Sequence, residues 1–183
     1  MAIKKFLIVE GEPGDLRQGI SKLLNKKIPG NLPRICLGAG KSQTIDKFKN
    51  NELKGDLFLL LIDLDNSEDQ RSQDILKNGL IDYEDKVFYM IQEMESWFLS
   101  QPDILDSFYG PDSNGKRISQ KLNKKPSKEI SNPKDELLRV TTDSRKGKYK
   151  VIQHAVELLK LLDVDKLENE FIDFKNLIKK LRN

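Results

Sequence analysis

The segment from Asp56 to Glu68 reads DLFLLLIDLDNSE. Its apolar run, Leu57 to Ile62, has the length and composition of a strand that is buried on both faces of a sheet. Asp63 and Asp65 follow at once, and strand alternation would place both carboxylates on the same side. Two like charges at the end of a buried strand are costly without a positive charge between them. The segment therefore indicates a metal or phosphate-chemistry site, with two solvated loop acids as the alternative.

Strands and helices are predicted to alternate around this run. Further strands are predicted at Lys5–Glu10, Arg34–Leu37 and Lys86–Ile91. Apolar stripes at helical spacing, the first of them after the N-cap Asp15, predict the intervening helices: Leu16, Ile20, Leu23 and Leu24; Ile45 and Phe48; Ile75, Leu76 and Leu80; Met94, Trp97 and Phe98. This order predicts an α/β fold with a mostly parallel four-stranded sheet flanked by helices. Such sheets bind ligands beyond the carboxyl ends of their strands.

Composition narrows the class of protein. The 183 residues are 37% hydrophobic and 33% charged, which is typical of a soluble globular protein. No apolar run approaches the roughly 20 residues of a membrane span, and the opening MAIKKFLIVEG lacks the cleavage site of a secretory signal. The lone Cys36 excludes a disulfide scaffold and a cysteine zinc site. A cytoplasmic protein is expected.

The charge is unevenly distributed along the chain. Residues 114–150 hold twelve Lys or Arg against four Asp or Glu, a local charge of +8, so the rest of the +3 chain carries −5. We divide the chain into an α/β core at 1–108, a basic loop-rich segment at 109–150 and C-terminal helices at 151–183, packed as one compact domain. The basic segment is predicted to contact nucleic-acid phosphates through Lys124, Lys125, Lys146 and Lys148, with a solvated surface as the alternative.

Two helices are predicted after the basic segment. Residues 151–162 are apolar nearly all round, and the next helix carries a heptad seam of Leu167, Phe171, Phe174, Ile178 and Leu181. The seam is too short for an independent coiled coil. It is expected to dock on the body of the protein or to form a homodimer with a second copy.

Acidic residues follow three of the predicted strands. They are Glu10 after the first strand, Asp63 and Asp65 after the third, and Glu93 or Glu95 after the fourth. Oxygen ligands of this kind suit Mg²⁺ or Mn²⁺, which would activate water and neutralise a phosphoryl group. On a helix that begins near Gln92, the side chains of Glu93 and Glu95 would point about 200° apart, so one of them faces the site and Glu95 is favoured.

The stretch GAGKS at residues 38–42 invites comparison with a phosphate-binding P-loop. That pattern requires glycine at position 35, where the chain has Ile35 within an apolar strand. An ordinary turn into a helix is therefore favoured. Lys41 would lie near the strand ends, where it could contact a substrate phosphate.

Four stretches together resemble a known family. FLIVEGEPGD, GAGKS, LLIDLDNSE and above all IQEMESWFL resemble small bacterial TOPRIM-like proteins of unknown function, related to the overcoming-lysogenization-defect nucleases. The resemblance implies that Glu10 is a catalytic acid or base. It further implies a metal site of Glu10, Asp63, Asp65 and Glu95, with Asp63 and Asp65 taking part in catalysis. The chain departs from the TOPRIM pattern at Pro13 and Gly14, where an acid or threonine is common.

The resemblance implies a metal-dependent TOPRIM-like nuclease, which is a hydrolase that cleaves nucleic acid. It also implies a role in phage defence together with an ATPase partner. One alternative is a non-catalytic partner-binding or regulatory subunit of an ATPase. Another is a response-regulator receiver with Asp63 as phosphoacceptor. However, Glu10-Gly11 replaces the receiver's acidic pair, and no Lys-Pro dipeptide follows a fifth strand, where the receiver's lysine belongs.

Overall fold

A computed structural model describes residues 4–11, 16–52 and 56–183. In this part of the chain, four strands form one sheet: β1 (Lys5–Glu10), β2 (Arg34–Gly38), β3 (Leu57–Asp63) and β4 (Val87–Met90). Their order is β2-β1-β3-β4, and each neighbouring pair is parallel. The predicted α/β fold with a parallel four-stranded sheet flanked by helices is confirmed.

The two central strands explain why the acids meet. Phe58 to Ile62 of β3 are all buried, as expected for a strand covered on both faces. β1 lies beside β3 in parallel register, with Val9 opposite Leu61. Since both strands end at the same edge of the sheet, Glu10 and Asp63 become neighbours there.

Helices cover the sheet on both sides. The helices of the first 109 residues are α1 (Leu16–Asn25), α2 (Lys41–Glu52), α3 (Arg71–Lys77), α4 (Glu95–Leu99) and α5 (Pro102–Tyr109), with short 3₁₀ helices at Glu68–Gln70 and Ile81–Lys86. The predicted N-cap Asp15 and the departures at Pro13 and Gly14 lie outside the described residues. The helix after β4 divides into α4 and α5 because Pro102, which lacks an N–H donor, begins the second of them.

The basic segment contains more regular structure than its composition suggests. It includes α6 (Ile118–Lys121), a 3₁₀ helix at Ser127–Glu129 and α7 (Pro133–Thr141). Leu137, Val140 and Tyr149 are buried members of the same hydrophobic core as the sheet. The segment is thus anchored to the body through apolar side chains, while most of its lysines remain exposed.

Three C-terminal helices replace the two that were predicted: α8 (Val151–Leu161), α9 (Val164–Glu170) and α10 (Ile172–Arg182). The heptad residues are buried as expected, but Phe171 interrupts the helix between α9 and α10. Phe174 packs edge-on against Trp97, with 5.2 Å between ring centroids. The seam therefore docks on the body of its own chain. Formation of a homodimer stays a prediction.

Helix α10 also protects the edge of the sheet. The Tyr89 N–H of β4 donates to Asp173 Oδ2 at 2.7 Å, and Arg71 Nη2 donates to the Val87 carbonyl at 3.1 Å. Arg71 Nη1 lies 3.5 Å from Asp173 Oδ1. Side chains thus occupy a donor and an acceptor of an edge strand that would otherwise be open to pairing with another strand. No helix in the described part of the chain is long and apolar enough to cross a membrane.

Candidate functional site

A cleft of about 330 Å³ opens at the carboxyl ends of β1 and β3. Its acidic lining comes from Glu10, Asp63, Glu93 and Glu95, and Lys134 of α7 lies at the same cleft. An apolar wall is formed by Leu16, Met90, Met94, Val151 and Ile152. The cleft lies where the parallel sheet was predicted to bind a ligand.

Glu10 and Asp63 are held together by a backbone hydrogen bond. The Asp63 N–H donates to Glu10 Oε2 at 3.1 Å, and the Met94 N–H donates to Asp63 Oδ1 at 2.9 Å. Burial raises the pKa of Asp63 well above its ordinary value, and the nearby charges of Glu10 and Glu95 raise it further. Burial also raises the pKa of Glu10, against the lowering effect of the Asp63 N–H. These carboxylates repel one another and favour a bound proton or cation.

Glu95 begins α4 and is only 5% exposed. The Tyr149 hydroxyl donates to its Oε1 at 2.9 Å. Burial raises the pKa of Glu95, while the Tyr149 hydroxyl and the Glu95 backbone N–H oppose that rise. Burial and the Glu95 charge raise the pKa of Tyr149, so its hydroxyl remains a donor at neutral pH.

Glu93 lies at the cleft together with Glu95, and its Oε2 accepts the Lys134 N–H at 3.2 Å. The prediction that one of the two glutamates faces the site depends on a helix that begins near Gln92. The helix begins at Glu95, so Glu93 lies in the preceding turn and the rotation of 100° per residue does not apply to it.

Asp65 lies just outside the strand and is not among the residues that line the cleft. β3 ends at Asp63, and Asp65 has a φ of 59°, a left-handed conformation that Asp adopts more readily than most residues. Its Oδ2 accepts a hydrogen bond from Lys41 Nζ at 3.1 Å. The alternation of side chains along β3 therefore ends at Asp63 and does not place the Asp65 side chain on the same side as that of Asp63.

Lys41 is paired with carboxylates. Besides Asp65, its Nζ contacts Asp74 Oδ1 at 3.0 Å and the Leu64 carbonyl at 3.2 Å. The GAGKS stretch forms the expected turn into α2, which begins at Lys41. Gly38 is required there because a Cβ atom would lie 2.2 Å from Thr44 Oγ1. Contact of Lys41 with a substrate phosphate stays a prediction.

The other predicted substrate-binding lysines lie away from the cleft lining. Lys124, Lys125 and Lys148 are exposed. Lys146 pairs with Glu157 at 3.0 Å and lies 3.6 Å from the centre of the Phe108 ring. In the part of the chain that the structure describes, Lys134 is the lysine that lines the cleft, and sequence reasoning did not single it out.

The acids are neighbours, but they do not form a ready-made metal site. Among residues 4–11, 16–52 and 56–183, no group of three or more His, Cys, Asp or Glu side chains is gathered closely enough to hold an ion. The donors fit a hard divalent cation chemically, since Glu10, Asp63 and Glu95 offer only oxygen. Burial is the main cause of the raised pKa of each of these residues, and the charges of neighbouring acids add to it. A bound divalent cation would offset that added negative charge.

Comparisons with known proteins identify the family. The model of the family described as Domain of unknown function (DUF4276) matches residues 11–182. The chain belongs to this family. In structure, this DUF4276 chain is similar to the C-terminal region of the Burkholderia pseudomallei OLD protein, with a TM-score of 0.59 and 14% identity. The match covers 100% of this chain and 98% of that one. No curated protein sequence matches this DUF4276 chain.

These matches confirm the family resemblance and the TOPRIM-like fold. At this level of identity the structural match shows the fold alone. The metal ligands and catalytic residues of the DUF4276 chain therefore stay predictions, which depend on the geometry of its own cleft.

Proposed function

We propose that this chain is a metal-dependent TOPRIM-like nuclease that hydrolyses phosphodiester bonds of nucleic acid. The main support is the hydrogen bond from the Asp63 N–H to Glu10 Oε2, which joins two acids at the ends of adjacent strands. Glu95 lines the same cleft, and its charge acts on Asp63. Converging acids with raised pKa values in a cleft are typical of a functional site.

Glu10, Asp63 and Glu95 would hold Mg²⁺ or Mn²⁺, and Asp65 would join them after leaving Lys41. When bound, the ion would supply positive charge for the phosphoryl group and lower the pKa of a coordinated water. We assign proton transfer to Glu10. The Asp63 N–H fixes Oε2 of Glu10, so Oε1 is the oxygen that we assign to proton exchange.

The substrate is proposed to be DNA or RNA, held by the basic segment. Lys124 and Lys125 are exposed beside one another, and Lys134 brings a positive charge to the cleft itself. Phosphate contacts of this kind give affinity without reading base sequence. An ATPase partner and a role in phage defence remain proposals that rest on the family resemblance.

A second candidate is a non-catalytic regulatory or partner-binding subunit of an ATPase. Asp65 is paired with Lys41, and no three-ligand metal site is preformed among the described residues. A chain with this role would keep the TOPRIM-like fold but would not bind the metal ion. The receiver alternative is supported by neither comparison.

Cleavage assays distinguish the two candidates. Purified protein is incubated with single- and double-stranded DNA and RNA, with Mg²⁺ or Mn²⁺ and with EDTA. The nuclease proposal predicts metal-dependent cleavage that falls at least about 100-fold in Asp63→Asn, whose Oδ1 can still accept the Met94 N–H. Asp46→Asn, on the exposed face of α2, is the matched control and is expected to cleave like wild type. Equal cleavage by wild type and Asp63→Asn would refute the proposal. Cleavage that needs an added ATPase partner and is the same with wild type and Asp63→Asn would support the subunit role.

A further inference from the structure

Tyr149 joins the basic segment to the acidic cleft. It is 3% exposed, and its hydroxyl donates to Glu95 Oε1 at 2.9 Å. Lys148 and Lys150 flank it in the sequence and are exposed. A buried tyrosine between two surface lysines therefore reaches from the basic segment to one of the proposed metal ligands.

The position of Tyr149 is itself well fixed. Its N–H donates to Thr141 Oγ1 at 2.8 Å, and that hydroxyl donates to the Leu137 carbonyl of α7 at 2.7 Å. The Tyr149 ring packs against Phe98 and His154, with centroid separations of 6.4 and 6.3 Å. The hydroxyl is thus presented by a ring that burial, packing and a backbone hydrogen bond all constrain.

Glu95 needs such a partner more than the other acids do. Glu10 and Asp63 each accept a backbone N–H from another strand or turn. Among the described residues, the hydrogen bond that the Glu95 side chain accepts from another element comes from the Tyr149 hydroxyl. A glutamate loses considerable rotamer freedom when it is fixed, and a hydrogen bond to a carboxylate offsets that cost.

We propose that Tyr149 is a positioning residue for Glu95: its hydroxyl holds Oε1 and so presents the carboxylate to a divalent cation at the cleft. The inference rests on the proposed metal-dependent function. Hydrogen bonds that orient metal-binding carboxylates typically change metal affinity by about 10- to 100-fold when they are removed. Tyr149 itself would touch neither the ion nor the substrate.

The test is a Mn²⁺ titration, followed by the paramagnetic resonance signal of the free ion. Tyr149→Phe removes only the hydroxyl and is expected to weaken Mn²⁺ binding about tenfold. Tyr109→Phe is the matched control, because Tyr109 is equally buried and its hydroxyl contacts His154 Nδ1 at 3.1 Å rather than an acid. This control is expected to bind Mn²⁺ within about twofold of wild type.

A double-mutant cycle with Glu95→Gln tests whether the effect passes through Glu95. In the Glu95→Gln background, Tyr149→Phe is expected to cause no further loss of Mn²⁺ affinity. Thermal melts in EDTA verify that each variant is folded at the titration temperature. If Tyr149→Phe does not fold, Thr141→Val takes its place. Thr141→Val removes the acceptor of the Tyr149 N–H and is expected to weaken Mn²⁺ binding in the same way.

Two results would overturn the role of Tyr149 and leave the proposed function intact. The first is that Tyr149→Phe binds Mn²⁺ as tightly as Tyr109→Phe does. The second is that Tyr149→Phe weakens Mn²⁺ binding as much in the Glu95→Gln background as it does in wild type. Either could occur while wild type binds Mn²⁺ and cleaves nucleic acid. Failure of the wild type to bind Mn²⁺ would instead overturn the metal-dependent function, and the role of Tyr149 with it.

Discussion

At the residue scale, the site is governed by carboxylates that lie close together in a partly buried cleft. Asp63 is the central member, because Glu10, Glu95, Asp65 and Glu93 all act on it electrostatically. Its pKa is raised by burial first and by these charges second. The cluster therefore costs stability when it is ionised without a cation.

This cost predicts a pH-dependent effect of Asp63→Asn on stability. Because the pKa of Asp63 is raised on folding, the folded protein keeps a proton that the unfolded chain has already released. Stability is therefore lost as the pH rises from the ordinary carboxyl pKa through the raised one. Asparagine cannot ionise, so in EDTA the variant is expected to exceed wild type by about 1–2 kcal/mol at pH 8 and to differ less at pH 4.

Urea unfolding at the two pH values measures this difference. Asp46→Asn, an exposed aspartate of α2, is the control and is expected to stay within about 0.5 kcal/mol of wild type. A variant less stable than wild type at pH 8 would show that Asp63 carries no unfavourable charge in the folded state.

The acids at the strand ends could be predicted from the sequence, whereas Tyr149 and Lys134, which donate hydrogen bonds to Glu95 and Glu93, could not. Glu10 and Asp63 could be predicted because an apolar run that stops at an acid marks a strand terminus. Tyr149 and Lys134 reach the site through tertiary packing of the basic segment, which leaves no local pattern in the sequence. Strand alternation does not extend to Asp65, because its left-handed backbone lies beyond the end of β3, and its role as a metal ligand stays a prediction.

At the element scale, close packing between α1 and α8 helps to place the C-terminal helices beside the cleft. A Cβ atom at Gly19 of α1 would lie 2.9 Å from Leu159 Cδ1 and 3.2 Å from Val156 Cα. Val151 and Ile152 at the start of α8 line the cleft. The contact at Gly19 thus helps to position one wall of the site.

Gly19→Ala is expected to destabilise the protein by about 1–3 kcal/mol, because the added methyl group overpacks the α1–α8 contact. At an open helical position the same change would stabilise by up to about 1 kcal/mol, so the sign of the effect is decisive. Thermal unfolding measures it, with Arg17→Ala on the exposed side of α1 as the control. A rise in melting temperature for Gly19→Ala would contradict the packing described.

The strands and the first helices could be predicted because their apolar periodicity is strong. The C-terminal helices were predicted less well. A heptad seam predicts which residues are buried, and all five residues of the seam are buried. It does not predict that the helix is interrupted at Phe171. Periodicity reports a buried face, whereas a helix boundary depends on capping and tertiary contacts.

At the scale of the whole molecule, the distribution of charge separates an acidic cleft from an exposed basic segment. Residues 114–150 carry a charge of +8 in a chain of +3. Lys124 and Lys125 are exposed beside one another on this segment. An arrangement of this kind would hold a polyanion by its phosphates while the acids act on one of them.

The double variant Lys124→Glu, Lys125→Glu is therefore expected to weaken nucleic-acid binding at least about tenfold and to lower the salt slope of log affinity by about 2. Fluorescence anisotropy at several salt concentrations measures both quantities. Lys175→Glu, Lys179→Glu on the exposed face of α10 has the same change in net charge and serves as the control. Equal losses in the two variants would show that net charge, and not the basic segment, determines binding.

The proposed nuclease requires a divalent cation in the cleft between Glu10, Asp63 and Glu95. Anomalous scattering from crystals of the protein soaked in Mn²⁺ would locate such an ion. A cation held by these acids is expected to give an anomalous peak in the cleft, at about 2.0–2.3 Å from an Asp63 carboxylate oxygen, and this peak is expected to be absent from Asp63→Asn crystals. Mn²⁺ peaks found only elsewhere on the molecule, or a cleft peak that persists unchanged in Asp63→Asn, would contradict this expectation.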